Sequence, residues 1–155
     1  MARKRKRRVW LPPREKFVPV PWPQELRAQV QQQANEFIQR VLAPRHVPNT
    51  PPGDGSFITE LLTKWSTRGL LFVAILRRGN MNTDQVMYSD THQTFFARLE
   101  YEGHAENGEP LFTLSYHRYT GEWRPLYSRV SLQVCWQELQ EDPHFIPVGS
   151  ALNPV

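Results

Sequence analysis

The 155-residue sequence predicts an α+β domain, in which two N-terminal helices and one C-terminal helix pack against an antiparallel sheet of about four or five strands. Two patterns support this fold class. Between Phe95 and Tyr127, apolar and polar side chains alternate with the period of two that is typical of half-buried strands. Between Leu26 and Leu42, apolar residues recur every three or four positions, as in an amphipathic helix. The order helix, helix, strands, helix then favours an α+β arrangement.

The first predicted helix begins near Pro23, because proline is favoured in the first helical turn, and it ends at Ala43-Pro44. Its apolar stripe consists of Leu26, Val30, Ala34, Phe37, Ile38, Val41 and Leu42. The next segment, Pro44 to Gly55, contains four prolines and two glycines and is predicted to be a loop.

A second, shorter helix is predicted to begin after Ser56, whose hydroxyl can cap it, and to end at Gly69. Its predicted apolar face consists of Ile58, Leu61, Leu62 and Trp65. Leu70 to Leu76 is the most apolar strand candidate and is predicted to be central in the sheet. A turn is expected at Arg77 to Asn80, followed by a short strand within residues 85–91.

The strands that follow are predicted to form a meander. Asn107-Gly108 and Thr120-Gly121 are the two predicted reversals, since these residue types tolerate the positive φ of tight turns. Phe95, Ala97, Leu99 and Tyr101 are predicted on one face, and Phe96, Arg98, Glu100 and Glu102 on the other.

The last predicted helix is capped by Ser131 and closed by Asp142-Pro143. Leu132, Cys135, Trp136 and Leu139 have helical spacing, so Cys135 is expected to be a buried, unreactive thiol. The polypeptide is therefore divided into an N-terminal arm (1–22), one domain (23–148) and a tail (149–155) that is expected to dock loosely or fray.

Charge is distributed unevenly along the chain. Residues 1–16 contain eight Lys or Arg and only one acidic residue, a net charge of +7, whereas the remaining residues carry a net charge of −3. A polyanionic partner is therefore expected to contact the arm rather than the domain.

The arm predicts nucleic-acid binding, because clustered cations neutralise phosphates without needing a fixed fold. The residues predicted to contact phosphates are Arg3, Lys4, Arg5, Lys6, Arg7, Arg8, Arg14 and Lys16. RNA is expected more than DNA, since arginine-rich segments often order on RNA. The same run also fits a nuclear-localisation signal if the cell has a nucleus, or a solubilising tail.

A second set of possible nucleic-acid contacts lies in the meander. Tyr116, Arg118, Tyr119, Trp123 and Arg124 interleave aromatic rings with cations, as in surfaces that stack unpaired bases. The alternative is that these aromatic residues simply pack within the sheet, where tyrosine and tryptophan are common.

A protein-interaction adaptor is the alternative function. The arm contains Trp10, Phe17 and Trp22 between prolines, which favour extended backbone. Such a segment is expected to lie along a surface, either that of its own domain or an apolar groove of a partner.

An enzymatic function is not expected, and the sequence indicates no catalytic residues, metal site or cofactor. A metal-dependent nuclease using Asp84, Asp90, Glu100 and Glu102 is the weaker alternative. The single cysteine excludes an intramolecular disulfide, no apolar run reaches the ~20 residues of a membrane helix, and no secretory signal is recognised. These features favour a cytoplasmic protein, or a nuclear one in a eukaryote.

Overall fold

The computed structural model describes residues 19–82 and 84–153. Its helices are α1 (Gln24–Phe37), which continues through a π-helical segment (Ile38–Leu42) into α2 (Ala43–His46), then α3 (Leu132–Glu141) and a 3₁₀ turn (Pro143–Phe145). Its strands are β1 (Gly55–Trp65), β2 (Leu70–Asn82), β3 (Gln85–Tyr88), β4 (His92–His104), β5 (Pro110–His117) and β6 (Trp123–Val130). None of the helices in these described ranges is long and apolar enough to cross a membrane.

The strands form one antiparallel sheet in the order β1-β2-β4-β5-β6, with β3 paired to the far end of β2. This arrangement confirms the predicted α+β class, with six strands instead of four or five. The predicted reversals at Asn107-Gly108 and Thr120-Gly121 lie between β4 and β5 and between β5 and β6. As predicted, Leu70 to Leu76 is internal, between β1 and β4.

The N-terminal helix extends further than the sequence indicated, to His46 instead of Ala43-Pro44. A proline inside a helix clashes with the carbonyl four residues earlier. Here the π-helical segment precedes Pro44, and the N–H of Ala43 bonds to the carbonyl of Ile38, five residues back. The wider turn accommodates the proline ring, so the helix continues for one more short segment.

The second predicted helix is wrong: Gly55–Trp65 is the strand β1. The pairing register with β2 shifts between Ile58 and Glu60, which marks a β-bulge. Because the bulge adds one residue, Ile58 and Leu61 reach the same core although they are three residues apart. An interrupted strand thus reproduced the spacing of a helix.

The predicted turn at Arg77 to Asn80 is also wrong, since β2 continues to Asn82. Gly79 pairs with Gly55 of β1 on one side and Tyr88 of β3 on the other. A Cβ atom on Gly79 would lie 3.1 Å from the carbonyl oxygen of Pro52, so glycine here allows close approach of the preceding loop. The short strand expected within residues 85–91 is β3.

A second bulge changes which residues of β4 face the core. Ala97 pairs with Phe72, but Phe95 pairs with Val73, so the register shifts at this point. Phe96 therefore joins Ala97 in the core and lies 6.1 Å from Phe72 between ring centroids. The prediction that Phe95 shares a face with Ala97 is wrong, because Phe95 lies near Trp123 on the opposite face.

The core lies between the helices and one face of the sheet. Trp136 of α3 stacks on Phe37 of α1 at 5.3 Å and contacts Phe72 of β2 edge-on at 6.3 Å. The Ser131 hydroxyl accepts a hydrogen bond from the N–H of Val134, as predicted for the cap of α3. Cys135 is fully buried, and burial raises the pKa of its thiol to about 12.

The segment after α3 is bound to the domain by main-chain hydrogen bonds. The carbonyl of Gly149 accepts from the N–H of Ile58, and the carbonyl of His46 accepts from the N–H of Ala151. Residues 149–153 thus lie beside α2 and β1, where the sequence predicted loose docking or fraying.

Candidate binding cavity on the open face of the sheet

The face of the sheet opposite the helices carries a cavity of about 680 Å³, here called the open-face cavity. Along β4 and β5, residues that point into it alternate with the core residues Leu99, Tyr101, Phe112 and Leu114. Its lining consists of Arg68, Arg98, Glu100, Glu102, Thr113, Ser115, Glu122, Trp123, Arg124, Pro125 and Ser128.

Two arginines share one carboxylate in the floor of this cavity. Glu100 Oε1 lies 3.4 Å from Arg98 Nη2, and Glu100 Oε2 lies 3.3 Å from Arg68 Nη2. The Arg98 and Glu100 side chains are only 9% exposed. Both distances exceed the usual 2.7–2.9 Å of a charge-assisted hydrogen bond, so the contact between the buried Arg98 and Glu100 side chains is long and loose.

Trp123 covers the guanidinium of Arg98. The Arg98 Cζ atom lies 4.7 Å from the centroid of the Trp123 ring, a cation–π distance. Trp123 pairs with His117 across β5 and β6, and their rings lie 4.6 Å apart. Burial lowers the pKa of Arg98, and the nearby Glu100 carboxylate opposes this shift.

Two buried polar atoms in this cavity have no hydrogen-bond partner among the described residues, Arg98 Nε and Ser115 Oγ. Arg98 of β4 and Ser115 of β5 are directly paired across the sheet. Native proteins leave few buried polar groups unpaired, so two on neighbouring residues require an explanation.

A second group of titratable side chains lies at the end of α3. The Tyr127 hydroxyl lies 2.6 Å from Asp142 Oδ2 and 3.0 Å from Glu138 Oε1, and Asp142 Oδ1 contacts His144 Nδ1 at 2.8 Å. The hydrogen bond to Asp142, burial and Glu138 together raise the pKa of Tyr127. Each of these four side chains has a hydrogen-bond partner inside the cluster, which fits a role in joining β6 to α3.

Residues 22–147 match the model of a protein family described as a domain of unknown function, DUF3024. The chain belongs to the DUF3024 family. The matched range begins at Trp22 and contains all the residues that line the open-face cavity. Neither a curated protein nor a solved structure matches the chain.

The predicted phosphate-binding residues Arg3, Lys4, Arg5, Lys6, Arg7, Arg8, Arg14 and Lys16, and the predicted docking residues Trp10 and Phe17, lie outside the described residues. Trp22, also predicted to dock, packs against the DUF3024 domain itself. Its ring centroid lies 4.9 Å from that of Trp65, 5.8 Å from Tyr101 and 5.6 Å from Phe112. Trp22 therefore marks the point where the arm joins the core.

The five meander residues predicted to stack bases are divided among three places in the DUF3024 fold. Trp123 and Arg124 line the open-face cavity. Tyr116 lies on the helix side, 4.8 Å from His144 between ring centroids. Arg118 and Tyr119 lie at the β5–β6 turn, where Tyr119 is 96% exposed. They do not form one continuous surface, and only Trp123 and Arg124 share a cavity.

The carboxylates of the nuclease alternative are separated. Glu100 lies near the Leu70 end of β2, where its neighbour Leu99 pairs with Leu70, and Asp84 follows the Asn82 end. At ~3.3 Å per residue, these ends of β2 are roughly 40 Å apart along the strand. Within residues 19–82 and 84–153, no three His, Cys, Asp or Glu side chains are placed to hold a metal ion.

Sequence reasoning did not single out Arg98, Thr113 and Ser115 as site residues, because polar residues on an alternating strand look like an ordinary solvent face. One signal was present in the alternation itself. Charged side chains alternate with core residues on β4, and hydroxyl-bearing side chains alternate with core residues on β5. Both strands are internal to the sheet. Arg98 and Ser115 are brought together by the pairing of β4 with β5, a long-range contact that the sequence does not show.

Proposed function

We propose that this DUF3024 protein is a small non-catalytic accessory subunit of a nucleic-acid-containing assembly, with RNA favoured over DNA. In this proposal the basic run Arg3 to Arg8, with Arg14 and Lys16, binds phosphates without reading sequence. The observation that carries it is the separation of charge: residues 1–16 have a net charge of +7, and the rest of the chain has −3. Its place would be the cytoplasm, or the nucleus of a eukaryotic cell.

The contacts of the domain's own cations support the same assignment. Outside residues 1–16 the chain has eleven Lys or Arg. Arg68 and Arg98 contact Glu100, Arg118 contacts Glu122, and Arg45 donates to the carbonyl of Gln140. The guanidinium of Arg27 lies over Trp65, 4.1 Å from its centroid. Many domain arginines thus serve internal contacts, whereas residues 1–16 contribute eight Lys or Arg against one acidic residue.

The test compares two full-length variants that lose the same number of charges. One carries Arg3→Gln, Arg5→Gln and Arg7→Gln, and the other carries Arg40→Gln, Lys64→Gln and Arg78→Gln at exposed domain positions. Binding to single-stranded RNA is measured across a salt series. Because each phosphate contact contributes a slope of about 0.7, the arm variant is expected to lose about two units of slope. The domain variant is expected to keep the slope of the unmodified chain.

Equal slopes in the two variants would contradict this function. Neutralising side chains is preferable to deleting residues 1–22, because Trp22 contacts the core and its loss would affect folding. The adaptor remains the second proposal, resting on Trp10, Phe17 and the prolines around them. Copurification of a single protein after nuclease treatment, without retained nucleic acid, would favour the adaptor.

A further inference from the structure

The open-face cavity contains two polar groups whose hydrogen-bonding capacity is unused. Arg98 Nε and Ser115 Oγ are both shielded from solvent, and neither has a partner among the described residues. Leaving such a buried group unpaired costs about 1–3 kcal/mol, so the unliganded arrangement is unfavourable at this point.

These groups are close enough to be satisfied together. Arg98 and Ser115 are opposite each other on β4 and β5, and both side chains point into the open-face cavity. Directly opposed residues have Cβ atoms about 4.5–5.5 Å apart, so one small group can accept from both. Thr113 lies two residues from Ser115 on the same face, and Ser128 lines the cavity from β6.

The unused donor determines the chemistry of the partner. An arginine Nε–H can only donate, so the partner must supply an acceptor, and ionised oxygens are the strongest acceptors for a guanidinium. The contact of Arg98 with Glu100 is 3.4 Å long, which leaves Arg98 able to turn toward a better-placed oxyanion. Trp123 and Pro125 provide an apolar wall for the remainder of the ligand.

Size and charge favour a compact ligand over a polymer. The volume of about 680 Å³ is within the range of small-molecule sites. Glu102 and Glu122 also line the cavity, and Glu122 has a side chain that is 66% exposed. These carboxylates would repel an extended polyanion but tolerate a single oxyanion that is bound by Arg98.

We propose that the open-face cavity binds a small molecule through a phosphate or carboxylate group, which accepts hydrogen bonds from Arg98 Nε and Ser115 Oγ. Binding turns the Arg98 side chain outward and replaces its loose contact with Glu100. The lining residues of the site lie between Arg68 and Ser128 and include none of the basic residues 3–16, so the proposal does not depend on the nucleic-acid function proposed above.

The test follows the Arg98 Nε–H signal by ¹H–¹⁵N NMR during titration with inorganic phosphate and, separately, sodium acetate. The full chain carries Arg3→Gln, Arg5→Gln and Arg7→Gln, so that anions bound by the arm contribute less. A saturable shift with either anion is expected, and Ser115→Ala should weaken the apparent Kd about tenfold. Ser56→Ala, which removes an exposed hydroxyl from β1, is the matched control and should leave the Kd unchanged.

The unliganded variants provide a second readout. Because Ser115 Oγ is unpaired and buried, Ser115→Ala should leave the Tm of the free protein unchanged or raise it, whereas a hydroxyl with a structural role would lower the Tm when removed. A fall in Tm on Ser115→Ala would overturn the proposal. So would an Arg98 signal that neither anion shifts, or a Kd that Ser115→Ala leaves unchanged.

The source of the oxyanion is distinguished with a ribodinucleotide that carries either a 5′-phosphate or a 5′-hydroxyl. If the phosphorylated dinucleotide binds more tightly than both inorganic phosphate and the 5′-hydroxyl dinucleotide, the ligand is identified as the end of a nucleic-acid chain. Affinity no better than that of inorganic phosphate would identify a free small molecule. Both results retain the site, and neither depends on the salt slope that tests the arm.

Discussion

The hydroxyl of Tyr127 donates a hydrogen bond of 2.6 Å to Asp142 Oδ2, and this contact joins β6 to the end of α3. Burial alone would raise the pKa of Asp142, but hydrogen bonds from Tyr127 and His144 lower it overall. A carboxylate with a lowered pKa stabilises the fold at neutral pH, and this stabilisation is lost as the pH falls and the group becomes protonated.

Replacement of Tyr127 by phenylalanine is therefore expected to destabilise the domain by about 1–2 kcal/mol at pH 7. The difference from the unmodified protein should shrink as the pH falls through the lowered pKa of Asp142 and its carboxylate becomes protonated. Urea unfolding at pH 7 and at a series of acidic pH values measures this difference in the free energy of unfolding. Tyr119→Phe is the control, since the Tyr119 side chain is 96% exposed. A loss of equal size for both variants would contradict the role assigned to Tyr127.

His46 predicts a separate dependence of stability on pH. Burial of its ring, with a smaller effect of the Arg45 charge, lowers the pKa of His46 to about 4 from an unperturbed value of 6.5. Between these values the unfolded chain binds a proton that the folded chain does not, so the free energy of unfolding decreases as the pH falls from about 6.5 to about 4. The full shift corresponds to a loss of about 3 kcal/mol.

The contribution of His46 can be isolated by comparing unfolding at pH 7 and pH 4.5 in the unmodified protein and in His46→Gln. Glutamine is chosen because it can keep a hydrogen bond to Ser150 Oγ, which lies 2.7 Å from His46 Nδ1. The variant is expected to lose less stability on acidification. His92→Gln, at an exposed position, should behave like the unmodified protein. If the His46→Gln and unmodified curves are parallel, the ring does not titrate as described.

The turn between β1 and β2 approaches β4 closely at Gly69. A Cβ atom at this position would lie only 2.2 Å from the carbonyl oxygen of Leu99, and the φ of Gly69 is +155°. Gly69→Ala is expected to cost more than about 3 kcal/mol, because the backbone itself would have to move. Gly121→Ala provides the comparison: Gly121 also has a positive φ, but its surroundings are open, so about 1 kcal/mol is expected. Thermal unfolding measures both, and equal losses would show that conformation rather than contact with Leu99 limits the position.

The elements predicted correctly depend on signals within a few residues of one another. The Ser131 cap, the Asn107-Gly108 reversal and the apolar stripe of α1 are such signals, and each appears where it was expected. The strand β1 was missed because its bulge near Thr59 places Ile58 and Leu61 on one face with the spacing of a helix. A bulge is determined by pairing with β2, which local sequence does not reveal.

The open-face cavity could not be predicted for a related reason. Arg98 and Ser115 are site candidates because they lie opposite each other and because Arg98 Nε and Ser115 Oγ are buried. Both properties follow from the register of β4 and β5. The sequence identified Trp123 and Arg124 as candidates by residue type. It did not show that Trp123 covers Arg98 while Tyr116, seven residues earlier, points to the other side of the sheet.

The position of Trp22 bears on the choice between the two proposed functions. Trp22 was predicted to dock on a surface and is found packed on Trp65, Tyr101 and Phe112. Removing a large aromatic side chain from such contacts is expected to cost about 2–4 kcal/mol, so Trp22→Ala should lower the midpoint of urea unfolding. Tyr119→Ala is the control, since the Tyr119 side chain is 96% exposed. It should leave the unfolding midpoint unchanged. An unchanged midpoint in Trp22→Ala, together with loss of a copurifying protein, would instead show that Trp22 is available to a partner and would favour the adaptor.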